Sequence, residues 1–413
     1  MKGKQMAGFP PRDQALKDFY QAWTTEELVE LVPLAEAAGR ICAVRLCSRQ
    51  ELPPYRVAAC DGIAVSASSF EGGFPDTRGW RPGREYQRAD TGDDFADCYD
   101  LVIPIEEVRF CPDGSLELSR DIPAKTGWNV RPAGDMLKRG ELLLEEGLPI
   151  RPADLASLAM GGIAMVPVRR RPVAAFIPTG NELVPAGIRP GRGQNVDTNS
   201  VMAGQMLAEF GAEPLIFPIV PDEPEALREA LSAALAAADL VIINGGSALG
   251  DEDFNFRLLG QGGKLIHHYI AAAPGRPMAL AVMEGKPVIN LPGPTMAAFF
   301  GLDWCVRAVV SRMLRLPVPR RQRVYCLLEN GLRTNPHMAI LCPMRVTKTP
   351  RGDYRAHYLS FFELSTPFCL AANGMYISEI GESMLEPGQR ISVELLRGEE
   401  YAETEGENEG GEN

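Results

Sequence analysis

The chain has 413 residues, 45% of them hydrophobic and 23% charged, with a formal net charge of −12. That length exceeds what one hydrophobic core serves, so two to four domains are expected, and the composition is that of an ordinary globular protein. Seven Glu and no Lys or Arg fall in the last stretch, Glu399–Asn413, which leaves −5 for the rest. A basic nucleic-acid-binding surface is excluded, so any anionic ligand must be held by local donors and not by the global field.

The nine cysteines include no CxxC pair, which points to free thiols in a reducing compartment. Cys42 and Cys47 lack the partners of a zinc site, and the adjacent His267 and His268 read as strand-end residues in preference to ligands. The opening "MKGKQMAGFPP" has no apolar signal core, and no run reaches membrane-span length. A cytoplasmic protein without membrane or nucleic-acid partners is expected.

In chain order, residues 13–45 read as helical, with a cap at Thr24 or Thr25 and an interruption at Pro33. Residues 51–125, rich in Pro, Gly and Asp with short alternating pieces, read as a small β-domain. Residues 150–162, "IRPADLASLAMGG", form a helix with proline near its start and a Gly-Gly stop. From residue 172, short apolar strands alternate with amphipathic helices. Strands are expected at 172–177, 214–220, 239–244 and 287–290, and helices at 198–210, 222–238, 252–260 and after 294. The helix at 222–238 has Asp222 as its cap, Pro224 in its first turn and Leu227, Leu231 and Leu235 four apart. This alternation predicts a three-layer domain around a mostly parallel sheet. Residues 321–397 return to short strands and turns, as in a small β-barrel or sandwich. The acidic residues beyond them read as a disordered tail.

Open α/β sheets bind ligands beyond the carboxyl ends of their strands. Three loops there combine glycine with polar or rigid residues: "PTGNELVP" (178–185), "NGGSALGDEDF" (244–254) and "LPGPT" (291–295). Glycine allows close backbone approach and exposes N–H donors to an anion. Gly245 and Gly246 can cradle such a group, and Asp251, Glu252 and Asp253 supply oxygens for a bridging Mg²⁺. Alternatively, Asp251 or Glu252 only starts the next helix favourably.

Together with "VDTNS" (196–200), "APGRP" (273–277) and "NLPGP" (290–294), these loops resemble, in order and spacing, those of the molybdopterin molybdenumtransferases, the MoeA and gephyrin E-domain family. "CDGIAV" (60–65), "TGDDFADCYDLVIPIEE" (91–107) and "NVRPAGDMLKRGELLL" (129–144) resemble its N-terminal elements, and the likeness covers nearly all of residues 13–397. The resemblance implies a multidomain α/β plus β protein. Its parts would be a helical linker domain (1–50 and 126–170), an inserted β-domain (51–125), a three-layer α/β molybdopterin-binding domain (171–320), a C-terminal small β-barrel (321–397) and the acidic tail (398–413).

The same resemblance implies insertion of molybdate, or tungstate, into adenylylated molybdopterin, with Mg²⁺ and release of AMP. It implies a homodimer with active sites shared between subunits, supplied by a molybdopterin adenylyltransferase. Carried over by position, Glu182, Asp253, Asp61 and Asp135 are candidate catalytic residues, and Glu182, Asp251 and Asp253 candidate metal ligands. Thr91, Thr179, Gly180, Gly245, Gly246, Ser247, Gly250, Arg276, Pro292 and Gly293 are candidate substrate-binding residues. Taken alone, Asp61, Thr91 and Asp135 read as turn and cap residues, and "DG" at 61–62 as a turn signal.

The chain departs from the family pattern at several places. Ala273 and Arg276 stand where lysines are usual, Pro294 where asparagine is, Ile63 where tyrosine is, and Arg56 and Ala58 where polar residues are. Arg276 keeps the charge as a planar fork, which is not equivalent to lysine. A second class of protein, one that binds or scaffolds molybdopterin without turnover, is therefore also open. The carboxylates of "TGNEL" and "GDEDF" favour the enzyme.

Overall fold

The computed structural model describes residues 8–245, 254–360 and 372–404. The chain divides into two compact units, one of residues 28–169 and one of residues 1–27 with 170–413.

The first helix, α1 (Arg12–Ala22), ends far earlier than the helical reading of residues 13–45 expects. Thr24 and Thr25 follow it and cap nothing. Val29–Pro33 instead forms a strand, antiparallel to Met165–Arg169. Pro33 cannot continue a helix, and Val29 and Val32 suit a pleated ribbon. The partner strand is more than 130 residues away, so local pattern could not reveal the pairing.

Within residues 28–169 the ribbon packs with α2 (Pro152–Met160) on a core that includes Val32, Leu144, Leu158 and Val166. As expected, a proline opens α2 and Gly161 and Gly162 follow it. Among the described residues α2 is the only α-helix of this unit, and α1 belongs to the other. The 51–125 region holds a three-stranded antiparallel sheet centred on Gly62–Val65, between Tyr86–Ala89 and Leu101–Pro104. Ile63, Val65, Leu101 and Ile103 bury one side of it.

The other unit is built on a six-stranded sheet. Its strands in chain order are β1 (Val173–Pro178), β2 (Glu213–Ile216), β3 (Leu240–Asn244), β4 (Lys264–His268), β5 (Ala279–Met283) and β6 (Lys286–Leu291), in spatial order β2-β1-β3-β6-β5-β4. Strands β2, β1, β3 and β6 are parallel, β5 pairs antiparallel with β6, and β4 pairs antiparallel with β5. Helices α3 (Asn199–Glu209), α4 (Pro224–Ala237), α5 (Phe254–Gly262) and α6 (Thr295–Gly301) connect or follow the strands.

The inner parallel strands β1, β3 and β6 are buried on both faces, which explains their unbroken apolar runs, while the edge strand β2 is largely exposed. One face packs Phe176, Ile242 and Leu291 against Phe19, Ala203 and Leu207. The opposite face packs Ile177, Val241 and Val288 against Leu227, Leu231 and Leu235 of α4. Burying each of those leucines contributes about 1.5–3 kcal/mol. Pro224 begins α4 as expected, but Glu223 holds the cap position and makes no side-chain cap bond. Asp222 serves elsewhere: Asn181 N–H donates to its Oδ2 (3.3 Å), and its own N–H donates to Asn181 Oδ1 (3.1 Å).

His267 and His268 end β4, and a ring nitrogen of His267 lies 2.9 Å from Asp18 Oδ2 on α1. Beyond residue 320, strands β7 (Arg323–Leu328), β8 (Ala339–Lys348), β9 (Tyr354–Tyr358), β10 (Gly374–Ile377) and β11 (Arg390–Leu395) close a five-stranded barrel in the order β8-β9-β7-β11-β10-β8. Closure leaves its five main strands no free edge. The start of the acidic stretch is not a free tail. Glu399 accepts bonds from Gln322 (2.9 Å) and Lys348 (3.0 Å), and Glu403–Thr404 pairs with β8. Among the described residues no helix is long and apolar enough to cross a membrane.

Candidate functional site

Strands β1, β3 and β6 are adjacent and parallel, so the loops leaving their carboxyl ends converge. A cleft of about 570 Å³ lies there. Thr179, Gly180 and Glu182 come from the first loop, Asn244 and Gly245 from the second, and Gly293, Pro294 and Thr295 from the third. Residues 195–199 and Asp222 complete the wall.

Gly245 has φ +123°, and a Cβ there would lie 2.5 Å from both the carbonyl oxygen and Oγ1 of Thr179. A side chain would drive the first two loops apart, so glycine is required. Gly293 lies close by: a Cβ on it would sit at ordinary contact distance, 4.0 Å, from Gly245 Cα. The Glu182 carboxylate folds over Gly180, its oxygens 2.8 and 2.9 Å from where a Cβ would be.

Behind this surface runs a polar network that the sequence reading did not anticipate. Asn199 Nδ2 donates to Asn244 Oδ1 (2.8 Å) and to the Gly293 carbonyl (2.7 Å). Asn244 Nδ2 donates to the Pro292 carbonyl (2.8 Å), and the Asn244 carbonyl accepts from Thr179 N–H (2.9 Å). Buried polar groups are seldom left unpaired, and here they tie three loops together. An asparagine at the end of an apolar run, as in "LVIIN", was the available signal.

The cleft is rich in carboxylates. Glu182, Asp197 and Asp222 line it, and among the described lining residues there is no Lys, Arg or His. Asp197 is engaged, accepting from Ser200 N–H at 3.0 Å. The 11-residue helix α3 points its N-terminus into the same space, a favourable place for negative charge.

The predicted residues therefore separate into groups. Thr179, Gly180, Glu182, Gly245 and Gly293 come together in the cleft. Pro292 is buried one layer behind and offers its carbonyl to Asn244. Arg276 lies outside the cleft lining; its carbonyl accepts from Ile270 N–H (3.0 Å) and Met278 N–H (2.9 Å). Gly246, Ser247, Gly250, Asp251 and Asp253 lie outside the described residues.

Asp61, Thr91 and Asp135 belong to the unit of residues 28–169. Asp61 Oδ1 accepts from Thr91 N–H (2.6 Å) and Thr91 Oγ1 (2.7 Å). The backbone bond first, then the hydroxyl, holds the Asp61 carboxyl below the usual carboxylate range. Asp135 Oδ2 lies 3.6 Å from Arg131 Nε. Gly62 is not a turn glycine. It begins a strand, and a Cβ on it would lie 1.9 Å from the Ile103 carbonyl oxygen.

Several departures have local explanations. Ile63 and Ala58 are buried in apolar clusters. Arg56 bonds the Ala96 carbonyl (3.1 Å) and Asp97 Oδ1 (3.2 Å), with its guanidinium 4.8 Å from the Phe95 ring centre. The eight described cysteines are free thiols, and Cys42, Cys305, Cys326 and Cys342 are buried. Among the described residues no cluster of three or more His, Cys, Asp or Glu is placed to hold a metal alone.

A glycine-turn cleft at the carboxyl ends of parallel strands defines an α/β protein with its candidate ligand site in the usual place for such sheets. Comparison with known proteins narrows this. Residues 11–162 match the MoeA N-terminal region (domain I and II), and residues 175–312 match a probable molybdopterin binding domain. The molybdopterin molybdenumtransferase of Haemophilus influenzae is 31% identical, with 73% of this chain and 77% of that protein covered. The Nostoc protein of the same name is 30% identical, with 70% of each covered. A solved molybdopterin biosynthesis MoeA protein from Pyrococcus horikoshii superposes with a TM-score of 0.77 at 26% identity, covering 95% of this chain and all of that one. The chain belongs to the molybdopterin molybdenumtransferase family.

Proposed function

We propose that this chain carries out the metal-insertion step of molybdenum cofactor biosynthesis, taking adenylylated molybdopterin and molybdate, or tungstate, and releasing AMP. The observation that carries this reading is the cleft: two neighbouring glycine turns at the ends of parallel strands, walled by carboxylates and free of side-chain cations among its described lining. A phosphoanhydride and an oxyanion repel such walls. Two unit charges 4 Å apart interact by about 4 kcal/mol at a surface-like dielectric, so counter-charge must come with the ligand.

The wall offers hard oxygen donors, which suit Mg²⁺. Glu182 with Asp251 and Asp253 would hold it alongside the substrate's phosphates. When bound, it would neutralise charge on the phosphoryl oxygens and favour departure of AMP. The chain's own residues have separate tasks. Gly245 and Gly293 let the backbone approach the anion, Thr179 braces the first turn against the second, and Glu182 orients the reacting end. Asp61, Asp135 and Thr91 serve the same reaction. The working form is a homodimer with shared sites in the cytoplasm, fed by a molybdopterin adenylyltransferase.

The test is AMP release from adenylylated molybdopterin with Mg²⁺ and either oxyanion, alongside complementation of an insertase-deficient strain with molybdate or tungstate. Glu182→Ala and Asp253→Ala should abolish AMP release with little change in thermal midpoint, since Glu182 is exposed. Tight molybdopterin binding by the wild type without AMP release under either oxyanion would mark a binding protein and overturn the reading.

A further inference from the structure

We infer that Asn199 is a positioning residue, whose amide sets the approach of the Gly245 and Gly293 turns to one another and so the shape of the anion cradle. This rests on the transferase reading given above. The sheet itself cannot do the task. Its ladder between β3 and β6 ends at the pair Asn244 and Leu291, and the two turns lie beyond it. Past that point Gly245 N–H reaches back to the Leu291 carbonyl (3.0 Å), and side-chain amides tie the third loop to the strand end and to α3.

One nitrogen bridges the two strand ends. Asn199 Nδ2 carries two hydrogens, and they match two acceptors: Asn244 Oδ1 at 2.8 Å and the Gly293 carbonyl at 2.7 Å. Asn244 then turns its own Nδ2 onto the adjacent Pro292 carbonyl at 2.8 Å. Two consecutive carbonyls of the third loop are thus drawn toward a pair of amides. Asn199 is 7% exposed and Asn244 3%, so water competes little for these bonds.

The amide is not needed to dock its helix. α3 is already seated through Ala203, Met206 and Leu207 in the core, whereas Asn199 lines the cleft. A carboxylate of the same size would present acceptors to Asn244 Oδ1 and the Gly293 carbonyl, and the turns would separate. Small displacements of groups that meet a reacting ligand can cost about 100-fold in rate.

The experiment compares wild type, Asn199→Ala, Asn199→Asp and a helix control, Ala203→Gly. The control loosens α3 from its buried side without touching the turns. Steady-state AMP release gives kcat and KM, and thermal unfolding gives stability. The expected result is a loss in kcat/KM of about 100-fold for both Asn199 variants, mostly in kcat, with Ala203→Gly within threefold of wild type at a temperature where all are folded. Turnover within threefold of wild type in Asn199→Asp overturns the proposal. So does an equal loss in Ala203→Gly, or failure of both Asn199 variants to fold, since either makes the residue structural only. If the wild type itself releases no AMP, the transferase reading fails separately. Calorimetry with molybdopterin then decides: at least tenfold weaker binding by Asn199→Asp supports the positioning role, and equal or absent binding in both proteins overturns it.

Discussion

Asp61 and Thr91 show how two residues thirty apart become one unit. Thr91 gives the same carboxylate oxygen two donors, its N–H and its hydroxyl. Both favour the charged form, so the folded-state pKa of Asp61 lies below its unfolded value. The stabilising contribution is therefore present above the unfolded pKa and is lost as pH falls through the folded one. Thr91→Val removes the hydroxyl and keeps the backbone bond. The Asp61 carboxyl should then titrate nearer the ordinary carboxylate range, followed by NMR of the carboxyl carbon between pH 2 and 6. A titration curve unmoved by Thr91→Val would show that the hydroxyl contributes nothing. The residues around the pair had looked like departures from a pattern, yet Ile63 and Ala58 answer to burial. Their identities follow the apolar clusters of this unit.

At the scale of elements, Gly62 is the sharpest case. It opens the central strand of the small antiparallel sheet, and the Ile103 carbonyl occupies the space a side chain would need, 1.9 Å from an added Cβ. A backbone carbonyl held in a ladder cannot swing aside like a side-chain end. Gly62→Ala should destabilise by about 2–3 kcal/mol, toward the upper end of overpacking penalties, measured by urea unfolding. An unfolding midpoint equal to wild type would mean that the sheet yields freely there. The "DG" pair reads in sequence as a turn, because a turn and a crowded strand both call for glycine. The same ambiguity explains what was legible elsewhere. Leu227, Leu231 and Leu235 announce α4, because a four-residue apolar spacing has one economical burial. The inner parallel strands β1, β3 and β6 announce themselves by unbroken apolar runs. The Val29–Pro33 ribbon stays hidden, because its partner lies at Met165–Arg169. Asn199 and Asn244 stay hidden too, since a network of amides has no spacing in sequence and exists only once α3 meets the sheet.

The whole molecule carries its negative charge into the cleft where an anion is proposed to bind. The net charge is −12, and Glu182, Asp197 and Asp222 line the described wall. A fold of this kind cannot draw phosphate by its overall field and must depend on backbone donors and a bound cation. The candidate residues also fall in both compact units: Asp61 and Thr91 in residues 28–169, Glu182 and Gly245 in the other. We propose that both groups serve one reaction in a homodimer, which makes a mixing experiment decisive. Asp61→Ala and Glu182→Ala proteins should each be inactive as homodimers. Unfolded lightly and reassembled together, they form heterodimers in which one of the two sites can combine intact residues from both chains. AMP release should then return to about one quarter of wild type, because half the dimers are mixed and half the sites in each are complete. Tagged subunits, purified sequentially, verify the mixed species. Activity absent from verified heterodimers would place both residues in sites confined to one chain, and a monomer by sedimentation would exclude a shared site altogether.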